Sequence, residues 1–134
     1  MGDAVNILVV DDDDAIRETL RFALEDAGYQ VSEAAEGMAA LRLLRSTRER
    51  MVVLLDLMMP GLDGAGVLGA VAGDHRLATQ HSYILVTANT RTLTLAFANL
   101  LSNLHVPTLR KPFDIDDLLK AVARASDRLA EEAV

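Results

Sequence analysis

The chain has 134 residues, 51% of them hydrophobic, no cysteine and a formal net charge of −7; it is long enough for one domain with its own core and too apolar for a disordered chain. The missing cysteines exclude a disulfide framework and a thiolate metal site, and the acidic balance argues against docking on a nucleic-acid backbone, which needs clustered Lys and Arg. No apolar run approaches the ~20 residues of a membrane span, and the start Met1-Gly2-Asp3-Ala4 lacks the basic and apolar regions of a secretory signal, so a reducing, cytoplasmic setting is expected.

Asn6 to Val10 is an apolar strand that runs into four aspartates, Asp11 to Asp14. A helix follows, because Ile16, Leu20, Ala23, Leu24 and Ala27 share one face at a 3.6-residue period. Asp13 or Asp14 caps its start and Gly28 ends it. Gln30 to Ala34 makes a short second strand, and Met38 to Arg45 a helix with Leu41 and Leu44 inward. Val52 to Leu55 is an uninterrupted apolar run, as in a parallel strand covered on both faces. It stops at a carboxylate, Asp56, before the turn formers Pro60 and Gly61. A third helix is predicted from Gly64 to Ala72, although Gly66 and Gly69 weaken it by roughly 1 kcal/mol each. Tyr83 to Val86 is a fourth strand ending at Thr87. Thr92 to Leu104 reads as a helix with Leu93, Phe97, Leu100, Leu101 and Leu104 inward, and Val106 to Leu109 as a fifth strand. After Lys111-Pro112 a last helix starts at Asp114, with Ile115, Leu118, Leu119, Val122 and Leu129 inward.

Strand and helix thus alternate with short connections and no internal repeat, low-complexity tract or linker. Right-handed crossovers then require a parallel sheet covered by helices on both faces. The expected fold is α/β, a doubly wound, flavodoxin-like sheet of five strands, for which 2-1-3-4-5 is the economical order. That order puts a crevice between strands one and three at their carboxyl ends. Asp11 and Asp12 end strand one and Asp56 ends strand three, so acids from distant parts of the chain become neighbours there.

Burying a carboxylate costs several kcal/mol, by rough estimate, unless it is paired or bound to a metal. Three at one crevice repel each other unless a cation sits among them. An all-oxygen site this small, with room for water, suits Mg²⁺ better than Ca²⁺. Thr87 and Lys111 converge on the same edge of the sheet. A carboxylate nucleophile, a divalent metal, a hydroxyl and an ammonium are what phosphoryl transfer to an aspartate requires.

Val9-Val10-Asp11-Asp12, Leu55-Asp56-Leu57-Met58-Met59-Pro60-Gly61-Leu62-Asp63-Gly64, Val86-Thr87-Ala88 and Lys111-Pro112-Phe113 together resemble the receiver domain of two-component response regulators. The blocks occur in family order and spacing, and the resemblance spans roughly Asn6 to Leu129. The sheet order above is the known one for the chemotaxis regulator of that family, so topology and resemblance do not count as separate arguments. The resemblance implies that Asp56 accepts a phosphoryl group from a phosphohistidine on a sensor histidine kinase or a histidine phosphotransfer protein. It also implies that Asp12, Asp56 and the backbone carbonyl of Met58 ligate Mg²⁺, with Asp11 holding the metal through water. Thr87 and Lys111 would bind the phosphoryl oxygens, and the Lys111–Pro112 peptide would be cis.

The sequence departs from the family pattern in two places. Thr108 stands where most members have an aromatic residue that swings inward on activation, which puts that means of transmission in question. The segment after Thr87, Asn89-Thr90-Arg91-Thr92-Leu93-Thr94, differs from the usual acidic or glycine-bearing loop. Met58 and Asn89 occupy the positions that flank the hydrolytic water in the family. An apolar Met58 cannot orient a water, which implies a long-lived phosphoryl group.

Other residues carry plainer readings. Asp13 and Asp14 serve as helix caps, with Asp13 a possible aid to the metal, while Asp63 and Gly64 serve the turn. The glycines form no phosphate-binding loop, for want of the G-x-x-x-x-G-K-[ST] pattern. His75, His81 and His105 are scattered singly and suggest no site. Leu95 lies about 160° from Phe97 at ~100° per residue, opposite the buried face. The fourth predicted helix, fifth strand and fifth helix form the face that receivers use for homodimerisation or for docking a downstream protein target, which makes Leu95 a candidate interface residue. Phe22 also points away from its helix's main stripe, towards either a kinase-docking surface or the last helix.

The leading expectation is a phosphoacceptor switch, not a turnover enzyme, over residues 1–134 as a single receiver domain. No direct nucleic-acid contact, membrane contact or output module is expected. The nearness of Met1 to the first strand and the tail Glu131-Glu132-Ala133-Val134 favour a single-domain regulator over a fragment. Two alternatives stay open. One is a pseudo-receiver acting as a plain interaction module, against which the full set of pocket residues speaks. The other is an aspartate-nucleophile phosphatase of the haloacid dehalogenase type, which Asp11-x-Asp13 satisfies only through the aspartate run and which leaves Asp56 and Lys111 unexplained.

Overall fold

The computed structural model describes residues 5–88 and 93–132. Its strands are β1 (Asn6–Val10), β2 (Gln30–Ala34), β3 (Met51–Asp56), β4 (Ser82–Thr87) and β5 (Thr108–Arg110). Its helices are α1 (Asp14–Asp26), α2 (Gly37–Ser46), α3 (Gly64–Ala72), α4 (His75–Gln80), α5 (Leu95–Asn103) and α6 (Ile115–Glu132). The strands form one parallel sheet in the order β2-β1-β3-β4-β5.

Alternation along the strands divides the core in two. Ile7, Val9, Val52, Leu54, Ile84 and Val86 face Leu20 and Leu24 of α1 and Leu118, Val122 and Ala125 of α6. Leu8, Val10, Val53, Leu55, Tyr83 and Leu85 face the layer made by α2, α3, α4 and α5. β3, between β1 and β4, is buried at every residue. Both faces of the sheet being covered explains the unbroken apolar run in the sequence. In register, Val10 pairs with Leu55 and Asp56 with Val86. The ends of β1, β3 and β4 therefore meet at one edge, where Asp11 follows β1 while Asp56 and Thr87 close β3 and β4.

Several boundaries and orientations differ from the sequence reading. α4 was not expected: its six residues are too few to show a period. The Asp74 side chain caps it by accepting from the Arg76 and Leu77 amides, and Leu77 anchors it in the core. The helix expected from Thr92 starts at Leu95, because the Thr94 hydroxyl accepts from the Phe97 amide at 3.1 Å and makes Thr94 the cap. β5 begins at Thr108, not Val106. The Val106 amide is spent on the Leu101 carbonyl, closing α5, and Pro107 has no N–H for the ladder. Ala27 is the exposed C-cap of α1 rather than part of its packed face. Ile115, expected inward, is 55% exposed, because α6 starts at the edge where the strands have already ended and its packed stripe begins only at Leu118.

Candidate functional site

The Asp11 amide donates to the Ala34 carbonyl, extending the ladder one residue beyond β1. Asp13 caps α1, its Oδ1 accepting from the amides of Ala15 and Ile16. The acidic run is therefore divided. Asp11 is buried at the sheet edge, Asp12 is exposed beside it, Asp13 is committed to the helix, and Asp14 lies in the first turn of α1. Asp56 closes β3 and is 7% exposed. α3 begins directly beneath that edge: a Cβ on Gly64 would lie 2.6 Å from the Asp56 carbonyl oxygen, so only glycine lets the helix approach so closely. The Asp63 side chain caps this helix through the Gly66 amide at 2.8 Å.

Carboxylate oxygens of Asp11, Asp12 and Asp56 lie within 4.8 Å of one another. The Lys111 ammonium reaches the same place, 3.5 Å from Asp11 Oδ2 and 3.7 Å from Asp56 Oδ1. It is carried there from the end of β5, where the Lys111 amide donates to the Thr87 carbonyl at 2.9 Å and the Lys111–Pro112 peptide is cis. Asp11 Oδ1 accepts from the Asp13 amide at 2.9 Å. The Met58 amide points at Asp56 Oδ1 from 3.4 Å, while the Met58 side chain is 71% exposed. Thr87, one residue past the partner of Asp56, is buried at the end of β4.

The Asp56 carboxyl is held above the usual carboxylate range, chiefly by burial and then by the charge of Asp11, with Asp12 adding to it. Lys111 and the Met58 amide pull the other way without cancelling the effect. One ammonium among three carboxylates leaves an excess of negative charge and oxygen donors only, a donor set that fits a small hard cation.

Of the residues singled out from the sequence, Asp11, Asp12, Asp56 and Lys111 meet in one cluster, with Met58 and Thr87 on its margin. Thr108 lies at the start of β5 and is exposed, and Leu95 is 78% exposed on α5; neither belongs to the cluster. Asn89 lies outside the described residues. Phe22 is 60% exposed on α1. Beside the cluster an open, mainly apolar recess of about 520 Å³ lies between α1 and the Lys111–Phe113 turn, with Ile16, Leu20 and Phe113 on its walls. Sequence reasoning missed Arg17, whose guanidinium donates to the Asp11 carbonyl at 2.7 Å. A bond from a helix side chain to a backbone oxygen six residues earlier, outside the helix, leaves no mark in a sequence.

The response regulator receiver domain model matches residues 7–123. Among curated proteins, the transcriptional regulatory protein AfsQ1 of Streptomyces coelicolor is 41% identical over 83 residues, covering 62% of this chain and 35% of its own length. The response regulator MprA of Mycolicibacterium vanbaalenii is 56% identical over 63 residues, covering 47% of this chain and 27% of its own. The chain thus spans roughly a third or less of the length of these relatives. Among solved structures, the chemotaxis protein CheY4 of Vibrio cholerae superposes with a TM-score of 0.77 at 28% identity, covering 92% of this chain and 99% of that one. Among the described residues no helix is long and apolar enough to cross a membrane. With the match running from the first strand into the last helix and an acidic cluster at the sheet edge, this chain belongs to the response regulator receiver domain family.

Proposed function

We propose that the chain is a phosphoacceptor switch in which Asp56 takes a phosphoryl group from the phosphohistidine of a sensor histidine kinase or histidine phosphotransfer protein. An Asp56 carboxylate oxygen attacks phosphorus, the new O–P bond forms as the N–P bond breaks, and the imidazole leaves with the electron pair. The observation that carries this reading is the position of the Lys111 ammonium 3.7 Å from Asp56 Oδ1, on the edge where three carboxylates cluster.

Each side chain has a distinct task. Asp12, Asp56 and the Met58 carbonyl would hold Mg²⁺, with Asp11 acting through water; bound there, the ion offsets the charge that develops on the phosphoryl oxygens. Lys111 would bind one of those oxygens and the Thr87 hydroxyl would donate to another. The apolar recess beside α1 suits the helix that brings the phosphohistidine, with exposed Phe22 further along the same helix. The output face would comprise α5, β5 and α6, which carry exposed Leu95 and Thr108, and it would control a downstream protein or pair with a second copy. Because Thr108 is not aromatic, the signal cannot travel by an aromatic ring turning inward at that position.

A phosphatase reading is disfavoured by Asp13, whose Oδ1 is committed to capping α1 and is poorly placed to act as a general acid. Incubation with Mg²⁺ and acetyl phosphate, followed by intact-mass and peptide analysis, separates the readings. A switch gives one phosphoryl group on Asp56, a phosphatase turns over phosphomonoesters, and a pseudo-receiver gives neither.

A further inference from the structure

We infer that Arg17 is a positioning residue for the acidic cluster, setting the place of the Asp12 carboxylate through the backbone carbonyl of Asp11. This rests on the reading of the cluster as a Mg²⁺ site. The Arg17 side chain is 13% exposed and is fixed from three directions. Nη1 donates to the Asp11 carbonyl at 2.7 Å, Nη2 to Asp14 Oδ1, and Nε to Glu33 Oε1 at 3.3 Å. It thereby ties together the end of β1, the first turn of α1 and β2.

The Asp11 carbonyl belongs to the planar peptide that also contains the Asp12 amide and Cα. Holding that oxygen, while the Asp11 amide is held by the Ala34 carbonyl, fixes the direction in which Asp12 leaves the strand. Asp12 needs such help. Its side chain is exposed and has no hydrogen bond or ion pair among the described residues, whereas Asp11 is held by the Asp13 amide and Lys111. Without the guanidinium the peptide between Asp11 and Asp12 loses the one side-chain bond to its carbonyl oxygen among the described residues, and the cation loses a ligand held in place beforehand. Groups that orient metal ligands from outside typically change metal affinity by about 10–100-fold when removed.

Arg21 provides the control. It shares Glu33 at 3.0 Å and pairs with Glu25, with no hydrogen bond or ion pair to Asp11 among the described residues. Titration with MgCl₂ alone, followed by the Asp12 and Met58 amide signals in NMR spectra, is done well below each variant's unfolding midpoint. Under those conditions a mere loss of stability leaves Kd unchanged. Arg17→Met is expected to weaken Mg²⁺ binding about tenfold and to shift the Asp12 amide signal before metal is added. Arg17→Lys, which keeps the charge but not the fork of donors, should weaken it less, and Arg21→Met should leave it unchanged. Equal affinity in wild type and Arg17→Met, or an equal loss in Arg21→Met, overturns the positioning role and leaves the acidic site standing. Should Arg17→Met fail to fold, an unchanged Kd in Arg17→Lys overturns it instead. Absence of Mg²⁺ binding by the wild type overturns the site reading and this inference with it.

Discussion

Asp56 is placed against its own electrostatic preference. Burial and Asp11 raise its carboxyl above the ordinary range. For an acid with a raised folded-state pKa, the unfolded chain loses its proton first as pH increases. The penalty therefore grows between the unfolded and folded pKa values and is fully present above both, including at neutral pH. Asp56→Asn removes the charge at nearly constant shape, so without metal it should stabilise the fold at pH 7 by about 1–3 kcal/mol, the usual scale for a poorly compensated buried group. Urea denaturation of the two proteins checks this, and the gain should shrink when Mg²⁺ is added, since bound cation stabilises only the native wild-type site. At the neighbouring position, Met58 presents an exposed apolar side chain. Met58→Asn offers a group that can orient water and should shorten the lifetime of the phosphorylated form severalfold, measured as loss of the Asp56 adduct after removal of acetyl phosphate. An unchanged lifetime would count against any role of this side chain in hydrolysis.

At the scale of elements, the carboxyl edge of the sheet is a set of close approaches. α3 can start beneath β3 only because Gly64 has no side chain, and the obstructing atom is backbone, which cannot move aside cheaply. Gly64→Ala should cost about 1–3 kcal/mol, as overpacking generally does, and should weaken Mg²⁺ binding by displacing Asp56; calorimetry and metal titration report the two effects. At the opposite edge, His81 ties the start of β4 to the start of β3: its Nδ1 accepts from the Met51 amide at 3.1 Å. Nε2 therefore carries the proton of the neutral ring. Burial lowers the His81 pKa to about 4, with the Leu44 backbone opposing it and the charges of Arg76 and Arg50 adding to it. Between the ordinary value of 6.5 and about 4 the unfolded chain binds the proton and the folded chain does not. Stability contributed here is thus present above pH 6.5, is lost progressively as pH falls, and levels off below pH 4 after a loss of roughly 3 kcal/mol. Unfolding midpoints at pH 7 and pH 4.5 should show this drop in the wild type and a smaller one in His81→Gln.

For the molecule as a whole, the middle of the sheet was legible because each of β1, β3 and β4 announces itself twice. Val52 to Leu55 declares burial on both faces, and Asp56 declares where the strand stops. The same logic at Val10-Asp11 and Val86-Thr87 located the pocket. The features that escaped notice depend on contacts too short or too distant for a periodic pattern. α4 amounts to a capped turn and a half anchored by Leu77, and Ile115 has the right helical phase with no strand left to cover it. Arg17 reads as an ordinary charge on a helix until its carbonyl partner is seen. The fold thus keeps two regions apart. An acidic pole at one sheet edge gathers residues from β1, β3 and the turn after β5, while α5 and β5 bring an exposed surface with Leu95 and Thr108. Coupling between them is an expectation of the proposed function: phosphorylation should change the amide signals of α5, β5 and α6 more than those of β2.

The claim on which this account depends is that these separate elements share one small anion at Asp56 in the presence of Mg²⁺. Beryllofluoride, a non-hydrolysable stand-in for a phosphoryl group, tests it through fluorine NMR of the bound species. The account predicts a stoichiometric bound signal that requires Mg²⁺, disappears in Asp56→Asn and weakens in Lys111→Ala. A signal that persists in Asp56→Asn, or no bound signal in the wild type at saturating Mg²⁺, would contradict it.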